Sequence, residues 1–139
     1  MGSKSTVPAV SFPPAVGRGL DGKVAIVSGA GSRGDGIGNG RVAAILLARE
    51  GARVGLLDAV PEWAAETLRV IESEGGTALA ITGDVTESAD CEAAVRSVVE
   101  AWGRLDVLVN NVGVGGPPGT AVDVDPGEWD RAMRVNWPR

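Results

Sequence analysis

Val24-Ala25-Ile26-Val27-Ser28-Gly29-Ala30-Gly31-Ser32-Arg33-Gly34-Asp35-Gly36-Ile37-Gly38 is the stretch on which the fold turns. Val24–Ser28 is an apolar run bounded by Asp21-Gly22 and by the glycine-rich segment, and it predicts a short buried strand. Ile37–Glu50 predicts a helix, with Val42, Ile45 and Leu46 on one face, Arg41 and Arg49 outside it, and Gly51 as its stop. Strand, glycine turn and helix in direct succession bring free backbone N–H groups and the positive end of a helix dipole to one point, which suits a pyrophosphate. Glycine serves such a turn because the chain bends sharply and must come close to its ligand. A turn that needs glycine only for its bend would read the same. The position between the first strand and the first helix makes the signal more specific.

The same alternation continues outward from this stretch. Arg53–Leu57 predicts a second strand and Glu62–Glu74 a second helix, with Ala64, Leu68 and Ile71 spaced for one face and Gly75-Gly76 behind. Ala78–Thr82 predicts a third strand. Thr86 is placed to cap a third helix whose buried stripe is Cys91, Val95, Val98, Val99 and Trp102, with Gly103 as its stop. Val107–Asn110 predicts a fourth strand, and a Gly/Pro-rich loop over Gly113–Gly119 follows. Asp125 predicts an N-cap, with Pro126 in the first turn, Glu128 placed for a capping box and Pro138 as the break. Alternation of this kind implies right-handed crossovers and a parallel α/β sheet covered by helices on both faces. The domain reading is a flexible N-terminal segment over 1–19, extended around Pro13–Pro14, and one folded unit over 20–139. Met1-Gly2-Ser3 has the look of a cloning remnant.

Asp58 ends the second strand, 20 residues after Gly38. A carboxylate there can accept from both ribose hydroxyls of an adenosine and repels a 2′-phosphate. A strand-end or N-cap aspartate with no ligand is the commoner occurrence, and the spacing from the glycine loop favours the ligand. These two features alone also suit a methyltransferase with a nucleoside cofactor. Later segments separate the two cases: Gly83-Asp84-Val85 after the third strand, Trp102–Asn111 leading into Val112-Gly113, and Glu128–Asn136.

Taken together in this order, from about Leu20 onward, these motifs resemble the short-chain dehydrogenase/reductase family. The resemblance implies the first half of a doubly wound parallel α/β sheet, a Rossmann fold with strand order 3-2-1-4, together with a nicotinamide-dinucleotide cofactor and oxidoreduction of an alcohol/ketone pair. It implies that Gly29, Gly36, Ile37 and Gly38 form the cofactor loop and that Asp58 is the ribose acid. Asp84 and Val85 would sit at the adenine ring, Asp84 accepting from the exocyclic amine. Asn110, Asn111 and Gly113 match an element that steadies the sheet and lets backbone approach the cofactor. Asn136 matches the asparagine of the catalytic tetrad, a buried amide that helps hold a relay water. Asp58 points to NAD rather than NADP, with Arg33 as the counter-argument because its guanidinium could take a 2′-phosphate. A full-length form would take a small-molecule substrate and would be a homo-oligomer.

Two departures stand out. Six residues separate Gly29 from Gly36 where the family places three, and Val112 replaces the usual alanine. A larger difference is in the inventory: the chain has no tyrosine and no histidine, its only lysines are Lys4 and Lys23, and no serine follows Ser97. The family's proton chemistry rests on a Tyr-x-x-x-Lys pair and a serine beyond the asparagine. This chain is therefore expected to bind cofactor at most, as a truncated product or as a binding or regulatory module that pairs with a full-length relative. An open sheet edge at the fourth strand is part of the same expectation.

Composition narrows the partners. A net charge of −5 without a Lys/Arg cluster argues against nucleic acid and anionic membrane surfaces. The apolar run Val42–Ala48 is far too short to span a bilayer, and the N-terminus lacks a signal-type apolar core. One cysteine, Cys91, and no histidine exclude a Cys/His metal site and an internal disulfide, which fits a reducing, cytoplasmic setting. Cys91 reads as core, and Trp63, Trp102, Trp129 and Trp137 as packing residues.

Overall fold

Residues 19–33 and 36–137 are described by the computed structural model. Four strands, β1 (Val24–Ser28), β2 (Arg53–Asp58), β3 (Thr77–Thr82) and β4 (Val107–Val109), form one parallel sheet in the order β3-β2-β1-β4. Helices α1 (Asn39–Arg49), α2 (Pro61–Ser73) and α3 (Ser88–Trp102) connect them, and α4 (Pro126–Asn136) follows β4. The expected half of a doubly wound Rossmann sheet is the observed one. The chain crosses over between β3 and β4, so the direction of winding reverses beside β1, and a crevice opens there at the carboxyl ends of the strands.

Successive strand side chains point to opposite faces, and both faces are covered. Val27, Val54 and Leu56 pack with Ala44, Ala48, Ala64 and Ile71 under α1 and α2. Val24, Ile26 and Leu57 pack with Ala94 and Val98 under α3. Double coverage is why β1 and β2 read as unbroken apolar runs. Gly51 (φ +97°) and Gly103 (φ +78°) take the left-handed conformation that ends α1 and α3, as their positions suggested. Asp125 Oδ1 accepts from the Glu128 N–H at 2.8 Å, so the predicted cap of α4 forms.

Five local expectations are corrected. Helix α1 begins at Asn39 rather than Ile37, because Gly38 is extended and its N–H donates to Ser32 Oγ. Its buried face is Gly40, Arg41, Ala44 and Ala48, while Leu46 is exposed. The helix starts against the glycine loop, and only small residues fit that contact. Thr86 does not cap α3; its N–H and hydroxyl both bond Asp84 Oδ1, and Glu87 takes the cap position. The α3 stripe is also narrower than expected, with Ala94 and Val98 buried and Val95 and Val99 exposed. The fourth strand ends at Val109, with Asn110 exposed. The N-terminal segment and Pro138 lie outside the described residues. Among the described residues no helix is long and apolar enough to cross a membrane.

Asp106 fastens the start of β4 to β1. Its Oδ2 accepts from the Val24 N–H at 2.9 Å, and its own N–H donates to Val24 O at 2.8 Å. The Arg104 guanidinium, followed by the Val24 N–H, holds the Asp106 carboxyl below the usual carboxylate range. Arg49 does the same for Glu74. A depressed pKa in the folded state adds stability above the unfolded pKa, and that stability is lost as pH falls through the folded value. Thermal melting between neutral pH and about pH 3 should therefore show a steep acid limb. Asp106→Asn should melt lower than the parent chain at neutral pH and converge on it in acid. A constant difference across the range would remove Asp106 from the account.

Candidate functional site

The crevice is built from the loop ends of all four strands. Gly29 leaves β1 at φ +63°, a conformation that suits glycine alone. An added Cβ there would meet Asn111 Nδ2 at 3.0 Å and Val112 Cγ2 at 3.1 Å. The Ala30 N–H bonds Leu57 O at 3.2 Å, and Gly31 donates to Asp58 Oδ2 at 2.9 Å. The loop after β1 is thus drawn across the end of β2. Gly40, in the first turn of α1, sits so close to Gly29 that a Cβ would fall on the Gly29 carbonyl oxygen. Behind it Arg41, itself buried, donates from Nε to Thr67 Oγ1 at 3.1 Å, and Thr67 donates to Ala30 O at 2.8 Å. This network fixes the loop's back from α2.

Asp58 is buried, and both carboxylate oxygens are engaged: Oδ2 by Gly31 and Oδ1 by the Val60 N–H at 2.9 Å. Its first role is therefore to join two loops, and each oxygen keeps a lone pair for a further donor. Asp84 is exposed. The Thr86 N–H and then the Thr86 hydroxyl hold its carboxyl below the ordinary range, so it stays an acceptor. Both bonds go to Oδ1, and among the described residues Oδ2 accepts none. Asn111 ties β4 to β1: its N–H donates to Ser28 Oγ at 3.1 Å, and its side-chain amide donates to Ser28 O and Gly29 O at 3.2 and 3.1 Å.

A cleft of about 440 Å³ runs over these loops, lined in part by Gly29, Gly38, Asp58, Asp84, Asn111 and Gly113. Val85, Ser32, Arg33 and Trp63 also line it. Gly36 and Ile37 are not among its lining residues, and Ile37 is 72% exposed. A second, larger cleft of about 1180 Å³ lies between α3, β4 and α4 and includes Asn110, Cys91 and Asn136. Asn136 is exposed rather than buried. Its amide makes a two-way clamp on the Gly/Pro-rich loop, accepting from the Val114 N–H and donating to Val114 O, both at 2.9 Å.

Sequence reasoning missed Gly31, Gly40, Arg41, Thr67 and Trp63. For Gly31 and Gly40 the signal was present, since both alternate with motif glycines. Nothing in the sequence marks a threonine on α2 as the support of a loop after β1. Among the described residues no group of His, Cys, Asp and Glu could hold a metal ion.

The cleft suits a dinucleotide. Backbone is exposed where glycine leaves no Cβ, a helix N-terminus lies below it, and carboxylates stand at the ends of β2 and β3. The family description that matches residues 23–138 is "short chain dehydrogenase". The chain belongs to the short-chain dehydrogenase family. An uncharacterized oxidoreductase of Thermotoga maritima is 42% identical over 117 residues, covering 84% of this chain and 43% of that protein. Among solved structures, a short-chain dehydrogenase/reductase from Burkholderia xenovorans matches at a TM-score of 0.80 and 42% identity, over 86% of this chain and 47% of the other. A metagenomic short-chain oxidoreductase, solved in complex with NADP, matches at 0.75 and 38% identity, over 84% and 51%. The chain thus spans about half the length, or less, of these dehydrogenases.

Proposed function

We propose that this chain is the nicotinamide-dinucleotide-binding part of an oxidoreductase acting on an alcohol/ketone pair, and that the 139 residues alone bind cofactor without turning it over. The observation that carries this is the convergence of Gly29, Asp58, Asp84, Asn111 and Gly113 on one cleft, although they come from four separate strand ends. In this reading Gly29, Gly38 and the start of α1 hold the pyrophosphate through backbone N–H groups. Gly36 and Ile37 complete that loop. Asp58 accepts from the adenosine ribose, and Asp84 Oδ2 with Val85 meets the adenine. Asn111 and Gly113 shape the floor toward the nicotinamide end. Bound there, the cofactor would supply or accept the hydride. Asn136 holds the loop at Val114 and is the one residue here of the family's catalytic set. A cytoplasmic setting goes with this reading, since the single cysteine has no partner among the described residues.

NAD is the favoured form, because a buried, charged carboxylate at the ribose repels a 2′-phosphate. Calorimetric titration should show NAD binding at least about tenfold more tightly than NADP, or ~1.4 kcal/mol. Asp58→Asn, which keeps an acceptor oxygen and removes the charge, should shrink that ratio. Tighter binding of NADP by the parent chain would overturn the preference.

A second reading, a regulatory module that pairs with a full-length relative, draws on one observation. Leu108 (56% exposed) and Met133 are exposed apolar residues lining one cleft at the free edge of β4. It uses the same cofactor cleft and differs in needing a partner.

A further inference from the structure

Trp63 stands in the first turn of α2, with its main chain held by its neighbours. Its N–H donates to Val60 O at 3.1 Å, and its carbonyl lies 3.3 Å from the Thr67 hydroxyl, whose proton goes chiefly to Ala30 O at 2.8 Å. Its Cβ lies so close to Gly31 that a Cβ on that glycine would overlap it and would come within 2.8 Å of the Trp63 carbonyl carbon. Gly31 in turn bonds the Asp58 carboxylate. The start of α2, the loop after β1 and Asp58 therefore form a single locked corner. Trp63 is half-buried and lines the cofactor cleft together with Asp58, Ala59, Val60, Ser32 and Arg33. A large, stiff aromatic that lines a cleft can serve as a wall to it.

Charge acts in two directions in this cleft. Asp58 repels a 2′-phosphate, while the exposed Arg33, which lines the same cleft, attracts it. A wall acts whatever the balance of charge.

We propose that Trp63 is a specificity-determining residue that fills the room a 2′-phosphate would need, so that phosphorylated cofactor is excluded by shape as well as by charge. The inference rests on the reading of this cleft as a dinucleotide site with the adenosine ribose at Asp58. It also assigns a purpose to Gly31: any larger residue there would push Trp63 and α2 outward and open the corner.

The test is a set of calorimetric titrations of the 139-residue chain with NAD and with NADP, at about 0.05 M and about 0.5 M salt. The parent, Trp63→Ala and Trp63→Leu are compared, with melting curves to establish that each is folded. Leucine keeps an apolar contact for α2 while removing most of the ring. The parent's preference for NAD should persist at high salt. Each folded variant should lose at least fivefold of that preference, chiefly through tighter NADP binding, and should do so at both salt concentrations. An unchanged ratio in either folded variant overturns the role of Trp63 and leaves the cofactor reading standing. If the parent binds neither dinucleotide, the reading of the cleft fails and the wall fails with it.

Discussion

Gly40→Ala should destabilise the chain severely, while Gly36→Ala should barely change it. The contrast is sharp because the family motif singles out Gly36, whereas packing singles out Gly40. A methyl at Gly40 would land on the Gly29 carbonyl and come within 2.5 Å of Asn111 Nδ2. Both neighbours are fixed: the Gly29 carbonyl is main chain, and the Asn111 amide is held by Ser28 O and Gly29 O. No rotamer relieves the clash, so α1 must lift off the loop. Overpacking of this kind costs about 1–3 kcal/mol, and more when backbone must move. For a chain of this size that is a fall in melting temperature of about 3–12 °C. Lifting α1 also takes its N-terminal N–H groups away from the pyrophosphate position, so affinity for NAD should fall more than tenfold. At Gly36 the nearest atoms to an added Cβ are Arg33 O and Ser32 Oγ, both at 3.9 Å. Gly36→Ala should melt within about 2 °C of the parent in the absence of cofactor. Equal losses in both variants would mean that α1 does not rest on the loop in this way.

The second large effect is an absence of turnover. The 139-residue chain should not interconvert an alcohol and a ketone above background. Binding a dinucleotide needs the glycine loop and the strand ends, which are present. Reaction also needs a proton delivered to, or taken from, the substrate oxygen. A well-placed acid or base contributes about 10²–10⁴-fold, and substrate positioning contributes more. The chain has no tyrosine and no histidine. Asp58 and Asp84 are committed to backbone and threonine donors at one end of the cleft. Asn136 holds a loop and does not titrate. The assay is the absorbance of reduced nicotinamide against a panel of alcohols and ketones, with protein freed of host dehydrogenases. Steady turnover that vanishes in Asn136→Ala would show that these residues assemble a working site after all.

The strands were legible because each is a short apolar run closed by glycine, aspartate or asparagine. β1 and β2 are buried on both faces, and among the described residues no other strand has that signature. Asp58 was legible from its distance to the glycine loop, but its engagement with Gly31 and Val60 was not, because those contacts exist only once the two loops meet. Arg41 was misplaced for a related reason. Helical periodicity puts arginine outside, while the close seat of α1 on Gly29 rotates the small residues and Arg41 inward, where Thr67 receives it. Val95 and Val99 read as core from their spacing alone, yet α3 packs over β1, β2 and β3 and leaves those side chains at the open flank. Thr86 sits where a cap is expected and instead serves Asp84, a local choice that competes with capping.

The claim on which all of this depends is that the cleft over Gly29, Asp58 and Asp84 is where a nicotinamide dinucleotide binds. Amide hydrogen exchange with and without saturating NAD tests it most directly, because it reports location as well as affinity. Protection should appear at 29–33 and 36–41, at 58–63, at 83–85 and at 111–113, with α3 and the exposed face of α4 unchanged. Protection confined to the larger cleft between α3 and α4, or none at saturation, would contradict the account.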